Sequence, residues 1–80
     1  MSRLGTRISA DFLEKDQQYN VKRKTGEAVV QIVKIRKKNG QVVQIDAQIV
    51  KGGFDVGTTK YRTCDVVQLP PDTDFYEQQI

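Results

Sequence analysis

The sequence predicts a mainly β domain, in which a small antiparallel sheet curls into an open barrel of the SH3 or OB kind. Residues 27–51 form two runs rich in β-branched residues around an Asn39-Gly40 pair, which is the strongest short-range signal for a β-hairpin. Further short runs rich in Val, Thr and Tyr follow this hairpin. The chain has only 80 residues, and curling protects the edges of so small a sheet.

The Asn39-Gly40 pair also predicts how the two hairpin strands align. A two-residue turn sets Lys38 opposite Gln41, and directly opposed residues point to the same face. The predicted pairs are Lys38–Gln41, Arg36–Val43, Lys34–Ile45, Ile32–Ala47 and Val30–Ile49, with Val29–Val50 on the opposite face. The core-facing residues of the second strand would then be Val43, Ile45, Ala47 and Ile49.

Shorter elements are predicted on both sides of the hairpin. A short N-terminal helix begins after Ser9, a favourable N-cap residue, and runs to about Gln18. Brief strands follow at 19–21 and 54–56, and a longer strand at 60–69. Pro70-Pro71 ends the sheet, and a C-terminal helical turn follows. We expect residues 1–80 to form one domain, with any flexibility at 1–7 and 72–80.

The composition excludes several classes of protein. The chain has no histidine and one cysteine, which excludes His-dependent catalysis and thiolate zinc sites within one chain. No glycine pattern matches a nucleotide-binding loop, so we expect no enzyme activity, metal or cofactor. We expect Cys64 to be a buried, small apolar residue. A cytoplasmic location is expected because no disulfide framework, signal peptide or membrane-length apolar run is present.

The charge is distributed unevenly along the chain. The net charge is +3, but residues 20–62 carry ten Lys or Arg against three acids, and residues 63–80 carry four acids and no base. Two basic clusters, at 22–24 and 34–38, lie on or beside the predicted hairpin. A basic β-ribbon can follow a phosphate backbone or enter a groove, and each neutralised phosphate adds affinity through counterion release.

The favoured function is therefore a non-enzymatic nucleic-acid-binding or transcription-associated accessory protein, whose small size suggests a phage or mobile-element origin. Tyr19 or Tyr61 would stack on bases. The residues expected to contact DNA or RNA phosphates are Lys22, Arg23, Lys24, Lys34, Arg36, Lys37 and Lys38.

Three other interpretations stay open. The lysines at the hairpin tip could serve only to keep an edge soluble. The chain could be a protein–protein adaptor or inhibitor that acts through a sheet edge or through the acidic-aromatic tail at 72–80, although packing of that tail on the core is favoured. Because Ala28-Val29-Val30 is apolar on both faces, a homodimer could supply the missing cover.

The order of elements resembles that of the positive-cofactor-four type of single-stranded DNA binder. The likeness covers about half of the chain, from Ile35 to Gln48 around Asn39-Gly40, and then Leu69-Pro70-Pro71 before Phe75-Tyr76-Glu77. The resemblance implies a long curved hairpin, two more strands and a dimerising C-terminal helix. The segment after Pro71 is too short for that helix, which leaves the dimer implied by the family in doubt.

Overall fold

A computed structural model describes residues 5–77 as a mainly β protein, which confirms the predicted class. A six-stranded antiparallel sheet runs in the order β1-β8-β2-β3-β4-β7, and β5 and β6 form a separate two-stranded sheet. The strands are β1 (Arg7–Ile8), β2 (Gln18–Arg23), β3 (Gly26–Lys38), β4 (Gln41–Gly52), β5 (Phe54–Val56), β6 (Thr59–Tyr61), β7 (Val66–Leu69) and β8 (Phe75–Glu77). Within these residues β1 and β7 stay separate edges, so the predicted barrel is not closed.

The tight turn of the central hairpin is confirmed. Asn39 and Gly40 have φ values of 54° and 78°, the two positive values that a type I′ turn requires. The predicted pairs Lys38–Gln41, Ile32–Ala47 and Val30–Ile49 are present. The turn chemistry therefore sets the alignment of the residues beside it, and the same register is found again deep in the sheet.

The predicted pairs Arg36–Val43, Lys34–Ile45 and Val29–Val50 are wrong, because three β-bulges interrupt the ladder. Val43 is an extra residue in β4, so Arg36 lies opposite Gln44 instead of Val43. Val33 is an extra residue in β3 and restores the original register at Ile32. Val50 is a third extra residue, which leaves Val29 opposite Lys51. A bulge moves the next residues to the other face, which explains why Val42 is buried and Val43 is 50% exposed.

The hydrophobic core lies on one face of the six-stranded sheet. The small β5–β6 sheet and a single 3-10 turn at Ala10–Phe12 pack on the strands of this face. Phe54 of β5 and Phe75 of β8 are the largest fully buried side chains. The core residues are Ala10, Leu13, Tyr19, Val21, Ala28, Val30, Ile32, Val42, Ile45, Ala47, Ile49, Phe54, Val67, Leu69 and Phe75.

Both predicted helical segments are wrong. The N-terminal segment forms only the 3-10 turn, since Asp16 adopts a φ of 69° and its N–H donates to the Ile32 carbonyl, which directs the chain into β2. The C-terminal turn is instead β8, paired with β1 and β2, with Phe75 fully buried. Residues 75–77 are thus part of the sheet and not a free docking tail, and residues 78–80 lie outside the described range.

The predicted strand at 60–69 is two strands separated by a turn. The Asp65 N–H donates to the Arg62 carbonyl, and the Asp65 carboxylate accepts the Arg62 N–H. Cys64 lies within this turn with a φ of 78°, and it is exposed rather than buried as predicted. No helix among residues 5–77 is long and apolar enough to cross a membrane.

Candidate nucleic-acid interface

The face of the six-stranded sheet opposite the core carries mostly polar side chains, and we call it the outer face. Residues that lie directly opposite each other in an antiparallel ladder share a face, so the register identifies its members. They are Arg7, Gln18, Asn20, Lys22, Glu27, Val29, Gln31, Lys34, Arg36, Lys38, Gln41, Gln44, Asp46, Gln48, Lys51, Val66, Gln68 and Tyr76.

Amide side chains form a row across the outer face. Gln18 of β2 lies opposite Gln31 of β3, which lies opposite Gln48 of β4. Neighbouring strands are about 4.8 Å apart, so the three amides are spaced closely enough to contact one extended ligand. The Gln48 Nε2 group donates to the Cys64 carbonyl at 3.2 Å, which leaves its second N–H and its oxygen for a ligand. Amide groups of this kind can bond to the edges of unpaired bases.

The outer face has a surplus of positive charge. Its two acids are Glu27 and Asp46, and its six bases are Arg7, Lys22, Lys34, Arg36, Lys38 and Lys51. The Arg7 guanidinium also forms an ion pair with Asp74, at 2.9 Å. Of the other bases, Lys34, Arg36 and Lys38 lie with Asp46 on the half of the face that leads to the β3–β4 turn, and Lys22 and Lys51 lie with Glu27 on the other half. The surplus is therefore slightly larger near the turn.

Asp46 is largely covered despite its place on the outer face. The residue is 9% exposed, and its carboxylate accepts a 2.9 Å hydrogen bond from Gln44 Nε2. Its other oxygen lies 3.5 Å from the Arg36 guanidinium. Arg36 therefore has a structural partner, and it is a weaker candidate for phosphate binding than its lysine neighbours.

The hairpin tip carries the clearest basic group. Lys34, Lys37 and Lys38 are exposed, and none of them forms an ion pair with another described residue. We call these three residues the tip cluster. Lys34 and Lys38 lie on the outer face, and Lys37, opposite Val42, lies on the other face of the same narrow tip. Lysines without partners keep their full charge available for phosphates.

The second basic cluster, at 22–24, lies far from the tip cluster. It precedes the thirteen-residue strand β3, which rises by about 3.3 Å per residue and spans most of the 38 Å length of the molecule. The Arg23 guanidinium lies 5.7 Å from the centroid of the Phe54 ring and so covers the core. Lys22 and Lys24 line a groove of about 450 Å³ together with Asp55, Asp72 and Asp74.

The two clusters therefore do not form one basic surface. The groove at 22–24 has mixed charge because three aspartates share it. The tip cluster, at the other end of β3, has no acidic partner among the described ion pairs.

The aromatic residues differ from the prediction. Tyr19 is buried, and its hydroxyl accepts the Glu14 N–H at 3.0 Å, so it is removed from the candidate interface. Tyr61 is half-buried and packs on Phe54, with ring centroids 6.3 Å apart. Tyr76, which the sequence reasoning missed, lies half-buried on the outer face opposite Asn20. The sequence signal for Tyr76 was its place next to Phe75, because adjacent residues of a strand point to opposite faces.

The fold and this surface define a small mainly β protein, in which no described strand or turn packs on the polar outer face of the sheet. Within residues 5–77 no three His, Cys, Asp or Glu side chains are grouped so that they could hold a metal ion. No protein-family model, curated protein or solved structure matches the chain. Function is therefore inferred from the surfaces of the molecule.

Proposed function

We propose that this protein is a non-enzymatic, transcription-associated accessory protein that binds single-stranded nucleic acid. The tip cluster would hold phosphates, and the outer face would contact bases. The observation that carries the proposal is the exposure of Lys34, Lys37 and Lys38 without acidic partners, at the end of a face that is itself basic. If the three lysines served only to keep the tip soluble, the amide row of Gln18, Gln31 and Gln48 on the adjoining sheet would have no part in their role.

The amide row supports a single strand as the ligand. Gln18, Gln31 and Gln48 lie in the middle of the sheet and not on a projecting ridge. A duplex presents base edges only inside its grooves, whereas unpaired bases can lie on a sheet and bond through their exposed edges. Tyr76 adds a ring on which one base can stack.

A binding titration tests this proposal. We would follow the fluorescence anisotropy of labelled single- and double-stranded oligonucleotides at about 50 mM and about 200 mM salt. If three phosphates are neutralised, the affinity for a single strand should fall roughly 20-fold between these concentrations. Absence of binding at low salt would show that the tip lysines serve solubility, and the protein-adaptor alternative would replace the proposal.

Two variants separate the contribution of the amides from that of the charges. Gln18→Ala combined with Gln31→Ala should weaken single-strand binding and leave its salt dependence unchanged, because no charge is removed. Circular dichroism should show an intact fold, since surface substitutions of this kind alter stability by about 0.5 kcal/mol or less. Unchanged affinity in this variant would exclude the outer face and leave only the tip.

The adaptor alternative has one structural feature in its favour. β7 is an open edge of the main sheet, and an edge strand can pair with another chain. Binding through this edge would depend little on salt, because backbone hydrogen bonds carry it.

A further inference from the structure

The two edges of the main sheet are protected to very different degrees. β1 has only two residues, and the charged Arg7 on it is held by Asp74. β7 has four residues, Val66–Leu69, with no charge and no proline among them. Short strands, charges and prolines are the usual means by which proteins block pairing at an edge. Of these three features, β7 has only a short length.

The register shows which backbone groups of β7 are free. Ile49 N–H donates to the Asp65 carbonyl, and hydrogen-bonded pairs alternate along an antiparallel ladder. Val67 and Leu69 therefore bond to β4, whereas the N–H and C=O groups of Val66 and Gln68 point away from it. Among residues 5–77 no backbone or side-chain partner bonds to these groups.

We propose that β7 pairs antiparallel with β7 of a second copy of this chain, around a two-fold axis at Val67. This register sets Val66 of each copy opposite Gln68 of the other. The outward N–H and C=O groups of both residues then bond across the axis, and none is left over. A two-fold contact requires this kind of self-complementarity, and the half-exposed Val66, at 55%, would gain cover from the neighbouring Gln68 side chain.

Charge at the ends of the strand favours a second copy as the partner. The turn before β7 carries Arg62, whose side chain is 63% exposed and forms only a long ion pair, at 3.9 Å, with Asp55 of the same chain. The segment after β7 carries the exposed Asp72. Antiparallel pairing brings the start of one strand to the end of the other. Opposite charges therefore meet at both ends of the contact, which favours this orientation and disfavours a parallel one.

The consequence is a larger outer face. Val66 and Gln68 belong to that face, so pairing at β7 joins the outer faces of two copies into one continuous surface. The contact itself does not depend on nucleic-acid binding, and it can be tested without any ligand. Since only one short strand contributes from each copy, we expect a weak association that depends on protein concentration.

Sedimentation velocity over tens to hundreds of micromolar tests the proposal, with two variants at one position. Gln68→Pro removes an outward N–H and no bond to β4, and an edge strand tolerates proline where its N–H faces solvent. Because the contact is two-fold symmetric, the proline removes two Gln68 N–H donors, each of which bonds to Val66 of the other copy. At about 1 kcal/mol for each lost hydrogen bond, association should weaken roughly 30-fold. Gln68→Ala keeps the N–H, and its dissociation constant should stay within about twofold of the wild-type value.

A charge exchange provides an independent test should Gln68→Pro fail to fold. Arg62→Glu should weaken association, and Arg62→Glu combined with Asp72→Arg should restore it. A wild-type protein that sediments as a 9.1 kDa monomer at every concentration overturns the proposal. A dimer that a folded Gln68→Pro variant and the Arg62→Glu variant both leave unchanged overturns it equally, because it would then use another surface.

Discussion

Adjacent valines in β4 should respond in opposite ways to the same substitution. Val42 is 7% exposed and Val43 is 50% exposed, because the bulge at Val43 shifts the alternation of the strand. A hairpin without bulges would bury Val43 and expose Val42. We choose asparagine and not aspartate as the replacement. Lys37 lies opposite Val42, and its charge would partly compensate a buried aspartate carboxylate.

The expected magnitudes follow from burial. Val42→Asn loses about 2 kcal/mol of side-chain burial and leaves an amide without partners, which costs about 1 to 3 kcal/mol more. The free energy of unfolding should therefore fall by about 3 to 5 kcal/mol, a large part of the stability of a small domain. Val43→Asn should cost about 1 kcal/mol, since its side chain already contacts water.

Urea denaturation followed by circular dichroism measures both values on the same scale. Val42→Ala and Val43→Ala serve as controls that remove volume without adding a polar group, and they should keep the same order. A larger loss for Val43 than for Val42, in either pair, would refute the bulged register.

Three further substitutions test the fold and the site. Gly52→Ala should lower stability far more than Gly40→Ala in urea denaturation. A Cβ at Gly52, where φ is 84°, would lie 2.5 Å from a backbone oxygen. A Cβ at Gly40 meets nothing within 4 Å, so Gly40→Ala should cost only the backbone strain of a positive φ, about 1 to 2 kcal/mol. Gln44→Asp should cost about 1 to 3 kcal/mol, because it replaces the donor to Asp46 with a second carboxylate; an unchanged midpoint would contradict this contact. Tyr19→Phe should lose about 1 kcal/mol of stability and leave oligonucleotide affinity unchanged, and a loss of affinity in the folded variant would return Tyr19 to the interface.

The hairpin could be predicted because its signal is local. Asn39 and Gly40 require a turn with positive φ at both positions, and that turn determines the pairs beside it. The bulges could not be predicted, since alternation along one strand does not show an extra residue. Val33 and Val43 compensate each other, which is why the prediction was correct for Ile32–Ala47 and wrong for the residues between.

The helical turn predicted for the C-terminal segment was wrong for a different reason. Phe75, Tyr76 and Glu77 fit a helical turn and a strand equally well over so few residues. The decision depends on partners remote in sequence, because β8 is held between β1 and β2. No periodicity within the segment reports those contacts, and the tertiary environment overrides its local preference.

Only the part of the candidate site that lies next to the turn could be predicted from the sequence. The tip cluster follows from its place beside the turn, where lysines have few neighbours. The exchange of Tyr19 for Tyr76 depends on which face each strand buries. Tyr19 belongs to the same buried core as Leu13, whereas Tyr76 lies on the outer face. The pairing of Arg36 with Asp46 results from the bulges and was equally hidden in the sequence.

The most direct test of phosphate binding at the tip is the slope of log affinity against log salt for a single-stranded oligonucleotide. Lys37→Gln combined with Lys38→Gln should lower the magnitude of this slope by about 1.4, or about 0.7 for each phosphate that is no longer neutralised. Lys15→Gln combined with Lys60→Gln removes the same charge outside both basic clusters and should lower it by much less. Equal slopes for the two variants would show that only net charge attracts the strand, and would contradict a binding site at the hairpin tip.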